Sequence, residues 1–374
     1  MWGNAARIAR IQGFDIKIDA SWLLIATLIV WSLSTAYFPV QLPGASPLTL
    51  FAMAVIGMLG LFGSLILHEL AHAVVARHFG LLVSGITLFL FGGVAELQSE
   101  PASSRSDFWI AIAGPVASLC IALAIWFSAQ ATGFVGLPDA VQIVLSYLAW
   151  INLVLALFNM LPAFPMDGGR VLRAWLWGQS GDLLTATRRT TTVSNIFAYG
   201  LVVLGLYSVF GGATAAGLWP ALIGLFLLFA SRGSLAHLET KTAFQGRQVA
   251  DLMTRDPWTV HPDQSLSEIV DRVFLEHGVS FIPVVEDDAL LGYVDLQMVR
   301  KMDREHWATT KVEDVLESIG EQNTVPSKMA SLDLISMMQK TGQHKFLVTE
   351  GRGLVGVITL SDMLALLRVF RETT

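Results

Sequence analysis

Residues 48–72 read LTLFAMAVIGMLGLFGSLILHELAH. Positions 48–67 carry no charge, and then His68, Glu69 and His72 arrive within little more than one helical turn. An apolar run of about 20 residues is what a helix needs to cross a bilayer core about 30 Å thick. Ionisable groups inside such a run are costly to bury and point to function. On a helix His68 and His72 lie about 40° apart, and Glu69 about 100° from His68. Two imidazoles at that spacing can close on one metal ion while the carboxylate reaches a water molecule beside it. In the pattern His-Glu-x-x-His, a helix supplies two zinc ligands, here His68 and His72, and a general base, here Glu69.

The rest of the chain agrees with a membrane setting. Of its 374 residues 53% are hydrophobic and 14% charged, against about 25% charged in soluble domains. Most charges follow residue 230, which implies an apolar N-terminal domain over 1–240 and a soluble C-terminal third. The net charge of −6 argues against a nucleic-acid partner. The single Cys120 excludes an intrachain disulfide and, lying in an apolar run, reads as a small buried hydrophobe. Residues 1–19 form a polar lead without an evident cleavable signal, because the apolar run behind them is too long for one.

Runs long enough to span a bilayer occur near 20–40, 50–77, 107–132, 138–162, 192–210 and 216–235. The connections 39–49, 132–137 and 211–217 hold no Lys or Arg, whereas the other side holds Arg7, Arg10, Lys17, Arg77, Arg105, Arg170, Arg173, Arg188, Arg189, Arg232 and Lys241. The positive-inside rule places both termini and the C-terminal module in the cytoplasm. Residues 81–99, which include ITLFLFGGV at 86–94, are too short for a span and too apolar for a solvent loop. A short strand or re-entrant hairpin is expected there, with its backbone buried in protein or lining a wet cavity. Gly92 and Gly93 either let a substrate backbone come close or simply form a turn.

A catalytic zinc needs a third protein ligand and an open position. The best candidate is Asp167, in the stretch 159–170 that reads NMLPAFPMDGGR. Asp before Gly-Gly is ordinarily turn chemistry, but the imidazole pair shifts the reading to a ligand where prolines unwind the helix. Asn159 suits either a hydrogen bond to the oxyanion at a scissile bond or one between helices. Arg170 and Arg173 read as interfacial residues that snorkel, and His78 as a surface histidine. The other histidines lack ligand spacing.

His68–His72 in one span, together with Asn159, Pro162, Pro165, Asp167 and Gly168 in a later one, resembles the site-2 protease family of intramembrane zinc metalloproteases. The likeness covers about 1–235 and includes Phe91-Gly92-Gly93 and Ala113-Gly114-Pro115. It implies one Zn2+ per chain held by His68, His72 and Asp167, water activation by Glu69, and assistance to the tetrahedral intermediate by Asn159. It also implies single-span membrane proteins as substrates. No PDZ-like insertion is evident.

From about 247 the chain repeats itself at a spacing of 64: Gly278 and Gly292 recur as Gly342 and Gly356. The two copies, 247–308 and 309–372, resemble a tandem pair of cystathionine-β-synthase-type (CBS) domains. Residues 356–362, GVITLSD, carry the pattern that holds an adenine nucleotide in that family, with Thr359 near phosphate and Asp362 on the ribose. The first copy reads GYVDLQM at 292–298, so Asp295 would repel phosphate and Met298 cannot hold ribose. At most one such site for ATP or AMP is expected, and a CBS pair is a candidate for homodimer formation.

The expected architecture is a polytopic α-helical membrane domain of about six spans with a short β or re-entrant segment, followed by a soluble α+β CBS module. The expected activity is an intramembrane zinc metalloprotease of a prokaryotic cell membrane, cutting near the cytoplasmic side under nucleotide control. A CBS-gated channel or transporter is the alternative.

Overall fold

The computed structural model describes residues 6–373 except 90, 91, 98, 213, 288 and 352. It divides into two compact units, Met1–Leu235 and Ala236–Thr374.

The first unit begins with strands β1 (Ala6–Ile11) and β2 (Phe14–Ile18), an antiparallel hairpin. Helix α1 (Ser21–Gln41) passes through a π-helical turn at Leu33–Tyr37. Helix α2 (Pro47–His78) follows, with Pro47 in its first turn and the Ser46 hydroxyl accepting the Thr49 N–H, a start that satisfies one orphan donor. At 1.5 Å per residue α2 is about 48 Å long, and His68 lies about 31 Å from its start, close to the far edge of a bilayer core.

Strands β3 (Val83–Phe89) and β4 (Gly92–Leu97) then form an antiparallel hairpin, as the short apolar 81–99 stretch suggests. Phe91 lies outside the described residues. The hairpin is not isolated: β2 pairs with β3 in parallel, giving the order β1-β2-β3-β4 with β4 at an edge. The polar lead of the chain thus becomes half of a sheet, a pairing across some 70 residues that no local pattern announces. Leu88 of this sheet packs with Ala26 of α1 and Phe62 of α2, fixing the sheet against the two helices.

Helices α3 (Ser104–Val135), α4 (Asp139–Asn159), α5 (Asp167–Ser180), α6 (Leu183–Phe210) and α7 (Thr214–Phe244) complete the unit and lead into the next. Among the described residues, six helices are long and apolar enough to cross a membrane: α1, α2, α3, α4, α6 and α7. α5 is amphipathic and breaks from α4 through the proline-bearing loop 160–166. Cys120, expected among buried hydrophobes, instead lies exposed on α3 because its position on the helix faces outward.

In the second unit, strands β5 (Thr254–Arg255), β6 (Phe281–Glu286), β7 (Ala289–Asp295), β8 (Glu317–Ser318), β9 (Thr324–Pro326), β10 (Lys345–Glu350) and β11 (Gly353–Thr359) form two sheets, β5-β11-β10-β9 and β6-β7-β8. The copies exchange their short strands: β5, from the first, lies on β11 of the second, and β8 lies on β7 of the first. The recurring Gly292 and Gly356 are where these strands pass. A Cβ at Gly292 would meet the Glu317 carbonyl, and one at Gly356 would lie 2.8 Å from the Thr254 carbonyl oxygen. The recurring Gly278 and Gly342 have φ of +64° and +72°, the left-handed turn that follows a helix.

Candidate metal centre

His68 and His72 share the inner face of α2, and both are buried. Asp167 is the first residue of α5. Nε2 of His68 and Nε2 of His72 each lie 3.1 Å from Oδ2 of Asp167, and 3.2 Å from each other. Three ligand atoms in a triangle of this size come close to one face of a tetrahedron with bonds of about 2.0 Å, whose edges are about 3.3 Å.

The proton inventory argues that a cation belongs among them. Nδ1 of His72 is 2.6 Å from the Ile110 carbonyl oxygen, which can only accept. The neutral ring therefore presents a bare Nε2 to the triad. Nδ1 of His68 has its own partner, Ser118 Oγ at 2.9 Å. Two imidazole nitrogens and a carboxylate oxygen converge within 3.2 Å. Lone pairs so placed repel one another without a cation, and the donor set of two imidazoles and a carboxylate suits zinc.

Backbone closes one side of the triad. A Cβ on Gly114 of α3 would fall 2.2 Å from His72 Nε2 and 2.5 Å from His68 Nε2. Only glycine leaves that space. Glu69 lies beside the imidazoles, half-buried, and Gly93 of β4 backs it: a Cβ there would stand 2.8 Å from Glu69 Cγ.

Asp167 is held from two directions. The preceding loop is tied down by the Phe164 N–H, which donates to Ser194 Oγ of α6 at 2.8 Å. Gly168 and Gly169 press on that loop so closely that a Cβ on Gly168 would meet the Met160 and Leu161 carbonyls. Farther along α5, Arg173 grips Asp107 of α3 with Nε and Nη2, each at 2.8 Å, and Arg170 Nη2 reaches the same carboxylate at 3.2 Å. The snorkelling assigned to these arginines is therefore corrected: Arg173 is 8% exposed and Asp107 fully buried. A buried carboxylate 66 residues away is what draws them inward.

The structure brings the sequence-predicted His68, Glu69, His72 and Asp167 to one place; the sequence reading names Gly114 only within the family likeness and misses Ser118, the Ile110 carbonyl and Asp107. A signal existed: 107, 110, 114 and 118 fall on one face of α3, and Asp107 is an ionisable group at the edge of an apolar run. Asn159 is not hydrogen-bonded to the triad among the described residues; its Nδ2 donates to the Leu155 carbonyl in its own helix at 3.0 Å.

In the second unit, Thr359 and Asp362 line a hollow of about 340 Å³ together with Trp258 and Ser361. Asp362 Oδ2 accepts from both the N–H and the hydroxyl of Thr359 at 2.8 Å. The pseudo-symmetric position of the first copy is latched. Lys345 Nζ lies 2.9 Å from Asp295, whose other oxygen caps the following helix through the Gln297 and Met298 N–H groups.

Both parts of the chain resemble known proteins. The model described as Peptidase family M50 matches residues 56–146 and 129–205, and the CBS domain model matches 249–304 and 308–369. Over 372 residues the chain is 36% identical to the "Putative zinc metalloprotease Rip3" of Mycobacterium tuberculosis, covering 98% of this chain and 94% of the relative. It is 28% identical over 359 residues to the zinc metalloprotease MJ0392 of Methanocaldococcus jannaschii, covering 96% and 94%. Among solved structures it is similar to a site-2 protease from the same archaeon, at 29% identity and a TM-score of 0.41, over 61% of this chain and 94% of that one. Relatives of this length and name leave the channel or transporter alternative without support.

Proposed function

Because the chain belongs to peptidase family M50 and is a multi-pass zinc metalloprotease, we propose that it hydrolyses peptide bonds of single-span membrane proteins near the cytoplasmic face of a prokaryotic cell membrane. The observation that carries this reading is the convergence of His68, His72 and Asp167 beside Glu69, toward the end of a helix built to cross a bilayer. Zinc, held by those three side chains, supplies Lewis acidity that eases deprotonation of water and polarises a peptide carbonyl.

The protein's own groups do the rest. Glu69 takes a proton from water as the oxygen attacks the carbonyl carbon, then delivers it to the amide nitrogen as the C–N bond breaks. Ile110 and Ser118 hold the imidazoles in orientation throughout. Asn159, by turning away from Leu155, donates to the developing oxyanion. A substrate helix hides its carbonyls and must unwind first. The edge strand β4, with Gly93 against Glu69, offers it an added-strand partner.

Cytoplasmic placement of both termini and the CBS module rests on the distribution of Lys and Arg between connections. The hollow at Thr359 and Asp362 is the position for ATP or AMP, which controls proteolysis through unequal affinity for two conformations. A second copy of the chain pairs through the CBS module.

Co-expression with a panel of single-span membrane proteins tests the core of the proposal. Fragments are expected with the native enzyme and not with Glu69→Gln. Identical fragment patterns from both would sink it.

A further inference from the structure

We infer that Asp107 is a positioning residue for the metal centre: through Arg170 and Arg173 it sets how far α5 slides along α3, and so where the Asp167 carboxylate meets the imidazoles. The inference rests on the reading of the triad as a metal site. Its basis is a pair of matched helix faces. On α3, Asp107, Ile110, Gly114 and Ser118 follow one another up a single face, and these four supply the anchor, the acceptor for His72, the space beside both rings and the partner of His68. On α5, Asp167, Arg170 and Arg173 follow at intervals of three, so the ligand and the two guanidinium groups share a side.

The contact is specific in form. Arg173 meets Asp107 as a fork, two parallel N–H···O bonds of 2.8 Å, a geometry that lysine cannot reproduce. Arg170 adds a third bond at 3.2 Å, and Glu100 stands 3.7 Å from the remaining nitrogen of Arg173. The group thus balances two positive and two negative charges. Burying charges costs more desolvation than their attraction reliably returns, so adhesion alone is a weak reason to keep such a cluster. Fixing register is the better-attested use, and here the register decides the position of an atom 3.1 Å from two ligand nitrogens.

The test uses the full-length enzyme in detergent, stripped of metal and reloaded with Co2+ as a spectroscopic probe. Asp107→Asn keeps the shape and loses the charge. It is expected to bind Co2+ at least about 10-fold more weakly than the native protein and to shift the visible bands of the bound ion. Arg173→Lys is expected to do the same. The double variant Asp107→Leu/Arg173→Met replaces the ion pair by apolar packing and guards against simple misfolding: it should elute as a single species and still hold Co2+ loosely, with Asp107→Glu recovering part of the native affinity. Native affinity and spectrum in the folded Asn or Leu/Met variants would overturn the inference. If the native protein itself fails to bind Co2+, the metal site is wrong, a result separate from any difference among variants.

Discussion

Nδ1 of His72 donates to the backbone carbonyl of Ile110 at 2.6 Å, so the tautomer of a buried imidazole is dictated by a helix rather than by a carboxylate. No side-chain substitution at 110 can remove that acceptor. The companion ring is more open to interference, since His68 relies on the hydroxyl of Ser118 at 2.9 Å. Ser118→Ala is expected to weaken metal binding by about 10-fold while leaving the protein folded, as scored by competition with a calibrated chelator. Unchanged affinity would mean that the hydroxyl does not orient the ring.

Glu69→Gln should retain one zinc per chain and lose at least about 100-fold in cleavage rate, the usual scale for a missing general base. Metal content and fragment yield measured on the same preparation separate the two effects. Loss of the metal along with activity would place Glu69 among the ligands instead.

Gly114→Ala is a sharper probe of the triad. Alanine favours a helix over glycine by about 1 kcal/mol, so helix breaking is not the expected fault. The added methyl would sit 2.2 Å from His72 Nε2 and 2.5 Å from His68 Nε2. Metal content should fall steeply while the protein remains helical by circular dichroism. Full zinc occupancy would show that the imidazoles have room to retreat.

Gly93→Val acts on the base rather than on the metal. Its Cβ would stand 2.8 Å from Glu69 Cγ and push the carboxylate aside. Cleavage should drop by about 10-fold or more with zinc content unchanged. A normal rate would argue that β4 lies too far from the reacting atoms to matter.

For the CBS module the expectation is one ATP or AMP per chain, lost in Asp362→Ala and kept in Met298→Ala. Calorimetry on the full-length protein reads the stoichiometry. Two equivalents, or binding that survives Asp362→Ala, would place the nucleotide elsewhere.

What was legible in the sequence was local. Six spans announced themselves as apolar runs, and His68, Glu69 and His72 as three residues within two helical turns. Asp167 stood out because prolines and glycines around it unsettle a helix. Contacts across long separations were not legible. An arginine after a span reads as interfacial until Asp107, 66 residues earlier, is known to lie within reach. The polar lead gave no sign of sheet, because β1 and β2 draw their order from β3, across the whole of α1 and α2. Gly114 entered only as part of the family likeness, with no role assigned to it. Its meaning appears only when a second helix lays two imidazoles against it.

The Lys345–Asp295 latch has a consequence for signalling. With one of two equivalent seats taken by the protein's own ion pair, a single chain has no second seat with which to cooperate. Under the proposed nucleotide reading, occupancy of the remaining seat is then expected to follow a plain hyperbola as the cell's energy charge drifts, a dimmer rather than a threshold. A steep response would have to be assembled between chains.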